Sequence, residues 1–252
     1  MKFIDNRGIT DPTINLAMEE YVLHHIPVND NYFLFYVNSP SIIIGKNQEA
    51  LDEFNDEYIV EKNIQVIRRL SGGGTVYQDL GNLNFSFISS YEGYSLKSYK
   101  EFVQPIVNVL NTIGIAAELN SRNDIYVNGR KISGNAQYAK KGRMLSHGTL
   151  LLNSDLSSLV NALRVKEINV NSKAIKSVRS AVANINEFLP SPLSMDQFKG
   201  IILKAVFEAN QKEINEYLLS EEDWKKIYKI SEERYKQREW NYILSSKKFI
   251  KY

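Results

Sequence analysis

The chain has 252 residues, of which 43% are hydrophobic and 24% are charged, a composition typical of a folded globular protein. Thirty-one Lys and Arg against 29 Asp and Glu leave a net charge of +2, which indicates neither a nucleic-acid partner nor a membrane surface. Because the chain contains no cysteine, disulfides, thiolate metal sites and cysteine nucleophiles are excluded. No signal-peptide core and no membrane-spanning apolar run are found, so we expect a cytoplasmic protein.

The first half of the chain predicts one helix followed by strands. Asp11 is a suitable N-cap, Pro12 suits the first helical position, and apolar residues recur at helical spacing as far as Val22. Strands are predicted at 32–37, 41–44, 64–67 and 82–88. In the last of these, polar and apolar residues alternate, which predicts one buried face.

Helical patterns dominate the second half. They cover 98–113, 154–163, 194–209 and 220 to about 238, and Pro105 is expected either to kink the first of them or to mark its true start. Ser194 and Gln197 fit a capping box. The polar segment 166–180 is predicted to be a mobile loop, with a plain surface loop as the alternative.

A glycine-rich segment between two predicted strands is the first candidate site. In Arg68-Arg69-Leu70-Ser71-Gly72-Gly73-Gly74, three glycines let the backbone approach an anion, and two arginines add positive charge. The spacing is neither that of a Walker loop nor that of a dinucleotide fingerprint. The segment therefore predicts a phosphate or carboxylate site; a flexible turn flanked by solvated arginines is the alternative.

A predicted hairpin is the second candidate site. With Asn128-Gly129 as a two-residue turn, Tyr126 would face Lys131 and Asp124 would face Ser133, which places these four side chains on one face. Asp124 and Lys131 would then be diagonal neighbours about 7–8 Å apart. An aspartate can hold Mg²⁺ and a lysine can neutralise phosphate, as nucleotidyl transfer requires, although an ordinary cross-strand ion pair is the alternative.

His147 lies in a strand predicted at about 143–152 and is either an acid/base group or a structural residue of the sheet. The other histidines, His24 and His25, are late on the first helix, and the three form no metal-ligand cluster in the sequence.

Four motifs resemble those of lipoate-protein ligases, and they occur in the same order. They are 68–82 (Arg-Arg-Leu-Ser-Gly-Gly-Gly-Thr-Val-Tyr-Gln-Asp-Leu-Gly-Asn), Arg122-Asn123-Asp124 with Lys131-Ile132-Ser133-Gly134, 147–151 and 177–180. The similarity extends over residues 15–242. Gln78 is a departure, since some members of the family have histidine there.

The resemblance implies a fold and a reaction. The fold is mixed α/β, with largely antiparallel sheets flanked by helices, as in the catalytic domains of biotin and lipoate protein ligases and in class II synthetases. Residues 1–242 would form the catalytic domain and 243–252 a tail or the start of a linker, without the accessory C-terminal domain of many relatives. The reaction would activate lipoate with ATP to lipoyl-AMP and then transfer the lipoyl group to a lysine.

The resemblance also implies roles for individual residues. Lys131 and Asp124 would be catalytic, and Asp124 would bind Mg²⁺. Nucleotide would contact Arg69, Gly74, Thr75, Val76, Tyr77, Asn82, Lys131, Ser177 and Arg179, and lipoate would contact Arg69, Ser71, Gly72, Gly73, Lys131 and His147. The 166–180 loop would close over the adenylate.

The implied acceptors are lipoyl domains of 2-oxoacid dehydrogenase complexes or the glycine-cleavage H protein, with a separate accessory-domain protein as a further partner and with neither nucleic acid nor membrane. Two alternatives stay open: a transferase that uses only preformed lipoyl- or octanoyl-adenylate, and a non-catalytic binder of lipoate or nucleotide. The absence of cysteine argues against thioester-forming acyl transferases. Two basic segments could each steer an acidic lipoyl domain or simply be solvated. One is the cluster of Lys140, Lys141 and Arg143, and the other is residues 225–252, with nine Lys or Arg against three Glu.

Overall fold

A computed structural model of the chain describes residues 1–27, 30–91, 99–121, 123–164, 181–208 and 214–243. In these ranges the strands are β1 (Lys2–Asp5), β2 (Tyr32–Val37), β3 (Ser41–Ile44), β4 (Gln65–Arg68), β5 (Val76–Gln78), β6 (Asn82–Ser90), β7 (Ala117–Leu119), β8 (Ile125–Val127), β9 (Arg130–Ser133), β10 (Asn135–Lys140) and β11 (Arg143–Leu151). The helices are α1 (Pro12–His25), α2 (Asp56–Glu61), α3 (Tyr99–Thr112), α4 (Leu156–Ala162), α5 (Met195–Glu208), α6 (Glu221–Ile230) and α7 (Arg238–Asn241). Two 3₁₀ turns, Ala50–Asp52 and Ile185–Phe188, and a π-helical turn, Ser231–Tyr235, complete the described elements.

The strands form three sheets, most of whose pairs are antiparallel. The largest sheet has the order β1-β2-β6-β11-β10, and only its β1-β2 pair is parallel. The second sheet has the order β4-β3-β5, and the third is the meander β7-β8-β9. The predicted mixed α/β class with largely antiparallel sheets is therefore confirmed.

Strand β6 is buried on both faces, so the predicted single buried face is wrong. Its aromatic side chains pack against α3 and α5 on one side. On the other side its polar side chains find buried partners: Ser86 donates a hydrogen bond to Glu19 of α1, and Asn84 donates to the Tyr36 carbonyl. The alternating pattern correctly predicts a strand, but alternation alone does not reveal that the polar face is also covered.

Helix α1 begins as the sequence predicts. The Asp11 side chain accepts a hydrogen bond from the Thr13 amide at 2.8 Å, and Pro12 occupies the first turn. Eleven of the fourteen residues are buried, because the helix lies between the large sheet and α6. Both adjacent acids in its middle, Glu19 and Glu20, are among the buried residues.

The other predicted helices are present with changed limits. The pattern predicted from 220 to about 238 is divided into α6 and the π-helical turn, and α7 follows as a separate short helix. In the π-helical turn, Ser231 donates a side-chain hydrogen bond to Thr13 of α1. Helix α3 contains Pro105 internally, so the idea that Pro105 marks its start is wrong, and Gly114 follows with φ +88°. The capping box of Ser194 with Gln197 is confirmed. The segment 166–180 lies outside the described residues.

Apolar clusters cover both faces of the large sheet. One cluster joins the sheet to α3 and α5, and the other joins it to α1 and α6. A third, smaller cluster lies under the second sheet, beside α2 and α4. Among the described helices, none has the length and apolar character needed to cross a bilayer.

The carboxyl-terminal segment is fastened to β4 by Arg68, whose side chain is fully buried. The guanidinium donates to the carbonyl oxygens of Gly45 and Gln48 at 2.9 and 2.8 Å, and to that of Asn241 at 2.9 Å. In return, Asn241 Oδ1 accepts from the Arg68 amide, and the Trp240 indole donates to the Arg68 carbonyl. Burial lowers the pKa of the Arg68 guanidinium below its usual value.

We expect Arg68→Lys to lower the free energy of unfolding by about 2–4 kcal/mol, because one ammonium cannot reach both sets of buried carbonyls. Urea denaturation monitored by fluorescence measures the change. The control is Arg164→Lys, at an exposed ion pair with Asp56, for which we expect a change below about 0.5 kcal/mol. Equal losses in the two variants would contradict this account of Arg68.

Candidate active site

A cavity of about 540 Å³ opens between the three sheets. Its apolar lining comes from α1 and from strands β2, β3 and β5, through Leu16, Tyr36, Ile43 and Val76. Its polar lining includes Asp124 and Lys131 on one side and Arg69, Gln78 and His147 elsewhere, and the glycine loop that joins β4 to β5 forms a further wall. An elongated ligand with an apolar chain and a charged head fits such a division.

Arg69 holds the glycine loop in shape from within. Its Nη2 donates to the carbonyls of Gly72 and Gly74, each at 2.7 Å, and its Nη1 donates to the Ile43 carbonyl at 3.0 Å. A peptide C=O and the following N–H point in opposite directions, so the N–H groups of Gly73 and Thr75 are directed away from the guanidinium. Residues 73–75 line the cavity, where such N–H groups can receive an anion.

A positive φ at Gly73 and a close backbone approach at Gly45 explain why these two positions are glycine. Gly73 has φ +92°, a conformation that side chains disfavour. At Gly45, a Cβ would lie 2.1 Å from the carbonyl oxygen of Gly73, so the two backbones are in direct contact. The turn after β3 thus supports the glycine loop.

The two adjacent arginines point in opposite directions. Arg69 lines the cavity, whereas the Arg68 guanidinium faces the carbonyls of residues 45–48 and 240–241. The expectation that both arginines bring charge to the anion site is therefore wrong for Arg68. Neighbouring side chains of a strand point to opposite faces, and Arg68 ends β4.

The hairpin of β8 and β9 carries the polar pair. The predicted pair of Tyr126 with Lys131 is confirmed, and Val127 pairs with Arg130. Ser133 pairs with Ile125 and not with Asp124, because the register shifts at a bulge. Asp124 and Lys131 nevertheless meet, with 3.0 Å between Oδ1 and Nζ, and their side chains are 15% and 25% exposed. The pair is thus partly shielded from water but open to the cavity.

Gly134 makes room for the Lys131 side chain. A Cβ on Gly134 would lie 3.1 Å from both Cε and Nζ of the lysine, and 3.7 Å from Asp124 Oδ1. Any side chain at this position would therefore press on the ammonium group.

His147 lies between Ser71 and Glu19 at the wall of the cavity. Its Nε2 is 2.6 Å from Ser71 Oγ, and its Nδ1 is 3.0 Å from Glu19 Oε2. Burial would raise the pKa of Glu19, but His147 and the hydrogen bonds from His147, Ser86 and Tyr36 together lower it. Burial, together with Glu19, raises the pKa of Tyr36 well above its ordinary value.

Glu19 is not among the predicted site residues, because the helical pattern of α1 predicts only which apolar residues are buried. The available signal was the acidic pair Glu19-Glu20, which interrupts an otherwise apolar stretch. Two adjacent acids within a buried helix need partners, which marks them as candidates for a site.

A row of side-chain amides was also missed. Asn38 donates to Gln78 Oε1 at 2.6 Å, Gln78 donates to Asn84 Oδ1 at 2.7 Å, and both Gln78 and Asn84 line the cavity. Gln78 is thus held at both ends of its amide. The sequence had drawn attention to this position only as a departure from the family.

The predicted site residues are divided by the structure into three groups. Those that line the cavity are Arg69, Gly73, Gly74, Thr75, Val76, Asp124, Lys131 and His147. Four of the predicted residues lie outside its lining: Ser71, Gly72, Tyr77 and Asn82. Ser71 is buried behind Arg69, the Tyr77 ring packs under the second sheet, and Asn82 donates to Asn84. Ser177 and Arg179 lie outside the described residues.

The acidic groups of the site bear on the predicted metal. In the part of the chain that the structure describes, no three His, Cys, Asp or Glu side chains come together as a metal-binding group. Asp124 is the carboxylate on the polar side of the cavity. Mg²⁺ at nucleotide sites commonly uses one or two protein carboxylates together with phosphate oxygens, so one aspartate fits that arrangement.

Known proteins are similar to this chain in sequence and in fold. Residues 11–207 match the family model of the lipoyl protein ligase A/B catalytic domain. Lipoate-protein ligase 1 of Staphylococcus aureus is 55% identical over 96% of this chain and 73% of its own length. Lipoate-protein ligase LplJ of Bacillus subtilis is 52% identical over 98% of this chain and 75% of its own length.

Solved structures agree with these sequence matches. Lipoate-protein ligase A bound with ATP superposes with a TM-score of 0.83 at 27% identity, covering 96% of this chain and 98% of that one. A bipartite lipoate-protein ligase of Thermoplasma acidophilum, studied with its E2 lipoyl domain, has a TM-score of 0.82 at 28% identity, covering 96% and 95%. The fold and site define an enzyme of the ligase class. The chain belongs to the lipoate-protein ligase family.

We expect Gly134→Ala to lower ligase activity about threefold, because the new methyl group shifts the Lys131 ammonium slightly from its position. Initial rates of lipoylation measure the effect. Gly200→Ala is the matched control, since nothing lies within 4 Å of a Cβ there. The control should keep full activity and gain about 0.5–1 kcal/mol of stability within α5. Full activity in Gly134→Ala would show that Lys131 need not hold this position.

Proposed function

We propose that residues 1–242 form a catalytic domain that activates lipoate with ATP and transfers the lipoyl group to a lysine of an acceptor protein. In the first step a lipoate carboxylate oxygen attacks the α-phosphorus of ATP, which forms lipoyl-AMP and releases pyrophosphate. In the second step the acceptor amine attacks the lipoyl carbonyl carbon, and AMP leaves. A carboxylate is a poor electrophile until it carries such a leaving group.

One observation carries this proposal: the Lys131 ammonium, paired with Asp124, lies on the same cavity as the glycine loop and an apolar lining. In the first step negative charge must be brought together, since a carboxylate approaches a phosphate. A fixed ammonium between them offsets this repulsion and stabilises the charge that develops on the α-phosphate. Partial burial of the pair strengthens the interaction, because water screens it less.

The glycine loop is proposed to receive the nucleotide. Gly74, Thr75 and Val76 line the cavity, and Arg69 turns N–H groups of the loop away from itself. Mg²⁺ would be held by Asp124 together with phosphate oxygens of the nucleotide. When bound, the metal would supply positive charge to the phosphates, which is also what Lys131 does.

The lipoyl chain is proposed to lie along the apolar side of the cavity. Leu16, Tyr36 and Ile43 are the walls available there, and His147 lies beside them. With the carboxylate at Lys131, this places the acyl tail toward α1. The apolar contacts supply affinity, since burial of a CH₂ group is worth about 0.8 kcal/mol.

We expect Lys131→Ala to lose lipoate-dependent ATP–pyrophosphate exchange by at least about a hundredfold while the fold is retained. Arg130→Ala is the matched control, because Arg130 neighbours Lys131 in β9 but pairs with Glu187 outside the cavity lining. Circular dichroism and urea denaturation verify the fold. Undiminished exchange in Lys131→Ala would refute the assigned role.

The wild-type chain in the same assay separates the remaining readings. Transfer from synthetic lipoyl-AMP without exchange would indicate an enzyme of the second step alone, which relies on a separate accessory-domain protein. Binding without either reaction would indicate a non-catalytic protein. Mass spectrometry of the acceptor identifies the modified lysine.

The acceptor is proposed to be a lipoyl domain of a 2-oxoacid dehydrogenase complex or the glycine-cleavage H protein, with the cytoplasm as the predicted compartment. Of the basic cluster that was predicted to steer it, Lys140 and Lys141 are exposed at the β10–β11 turn. Arg143 is buried and donates to the Ile26 carbonyl at the end of α1, so its inclusion in a surface cluster is wrong. This cluster is therefore reduced to its two lysines.

We expect the double reversal Lys140→Glu with Lys141→Glu to slow lipoylation of an acidic acceptor about tenfold at low salt, and less as salt rises. Rates at limiting acceptor concentration, measured over a range of ionic strength, show this. The double reversal Lys225→Glu with Lys226→Glu, at exposed lysines of α6, tests the second basic segment in the same way. Unchanged rates for the first pair would remove the turn from consideration.

A further inference from the structure

Glu19 is a buried acid for which the two-step reaction needs no direct role. Its side chain is 2% exposed, and it is joined to the glycine loop by a chain of side-chain hydrogen bonds. Arg69 Nε is 2.9 Å from Ser71 Oγ, Ser71 Oγ is 2.6 Å from His147 Nε2, and His147 Nδ1 is 3.0 Å from Glu19.

The two ends of this series of hydrogen bonds limit the directions within it. Arg69 can only donate, so Ser71 Oγ accepts from it. The Ser71 hydroxyl keeps its own proton and a second lone pair, so it can either donate to His147 Nε2 or accept from it. When the Ser71 proton is directed to Nε2, the imidazole carries its proton on Nδ1 and donates to Glu19, and this is the direction assigned to the series.

The order of serine, histidine and acid is also that of a hydrolytic triad, but the surroundings of the hydroxyl rule out that function here. Ser71 is fully buried and lies outside the lining of the cavity, so a substrate carbonyl cannot reach it. Its oxygen also accepts a hydrogen bond from a guanidinium, which weakens it as a nucleophile. This series of hydrogen bonds therefore holds its members in position, and Ser71 does not form an acyl intermediate.

What is positioned is the glycine loop. The guanidinium that donates to Ser71 also donates to the carbonyls of Gly72 and Gly74. If the guanidinium turned, both carbonyls would lose their donor, and the N–H groups of Gly73 and Thr75 would no longer keep their direction. Glu19 is held in turn by Tyr36 and Ser86, which also donate to it.

The geometry points to Glu19 as a positioning residue that, through His147 and Ser71, sets the orientation of Arg69 and with it the anion-binding shape of the glycine loop. Glu19 touches neither substrate nor reacting atoms in this assignment. Its kinetic consequence rests on the proposed function, whereas its effect on the histidine does not.

The kinetic test compares Glu19→Gln with Glu20→Gln. The first variant keeps the shape of the side chain, but its amide offers one acceptor oxygen where the carboxylate receives Tyr36, Ser86 and His147. The second is the same change one residue later, where the carboxylate pairs with Arg234 at 3.2 Å. In pyrophosphate exchange, we expect Glu19→Gln to raise KM for ATP about tenfold with less than about a threefold loss in kcat.

Glu20→Gln should keep wild-type kinetics, and Glu19→Asp should recover part of the loss. Equal kinetic constants in Glu19→Gln and wild type would overturn the assignment. So would a fall in kcat with unchanged KM, because that would indicate contact with the reacting atoms.

A spectroscopic test follows the histidine directly. The chain contains three histidines, so ¹⁵N labelling of histidine with long-range ¹H–¹⁵N correlation resolves His147 from His24 and His25. We expect the wild-type His147 to carry its proton on Nδ1, and Glu19→Gln to shift it toward Nε2. A proton on Nε2 in the wild type, or an unchanged tautomer in the variant, would overturn the assignment.

The two tests keep separate failures apart. If the wild type showed no pyrophosphate exchange, the proposed first step would fail, while the tautomer experiment would still decide the role of Glu19. If Glu19→Gln did not fold, Ser71→Ala would interrupt the same chain at its middle. In Ser71→Ala the histidine should keep its proton on Nδ1 toward Glu19, while KM for ATP rises as in Glu19→Gln; an unchanged KM there would overturn the assignment.

Discussion

The hydrogen bonds from Arg69 to the carbonyls of the glycine loop are the interaction on which the rest of the site depends. A loop of three glycines has many conformations available and loses much entropy when it is ordered. A buried guanidinium that donates to both Gly72 and Gly74 restricts the loop to one of them. The same hydrogen bonds turn the following N–H groups toward the side where an anion can bind. The interaction that orders the loop therefore also forms the anion-binding site.

In each of two pairs of adjacent charged residues, one member contacts the site and the other contacts the carboxyl-terminal segment. Arg69 supports the glycine loop, while Arg68 binds the carbonyl of Asn241. Glu19 accepts from His147, while Glu20 pairs with Arg234 beyond α6. Consecutive residues point to opposite faces of a strand and are about 100° apart around a helix, so one doublet can serve two surfaces. The carboxyl-terminal helices are thus attached to the two elements that carry the site.

Local rules predicted much of the fold. Asp11 and Pro12 begin a helix because side-chain capping and a fixed φ act within a few residues. Asn128-Gly129 forms the predicted turn for the same reason. The pairing of Asp124 with Ser133 failed because a bulge inserts a residue, and nothing local to the hairpin signals it. The prediction of one continuous helix after Ser220 failed for a similar reason. The helix is interrupted where Ser231 contacts Thr13 of α1, which is far away in sequence.

The groups available for chemistry can be listed without a structure: a lysine and an aspartate on one hairpin, a glycine loop with arginines, and no thiol for a covalent acyl intermediate. Which of these groups share the cavity, that Arg68 is turned away from it, and that Glu19 lies behind it follow from the folded chain alone. The difference arises from the range over which each interaction acts. Capping, turn formation and alternation act between near neighbours, whereas the burial of a charge is settled by whichever distant backbone or side chain folds against it.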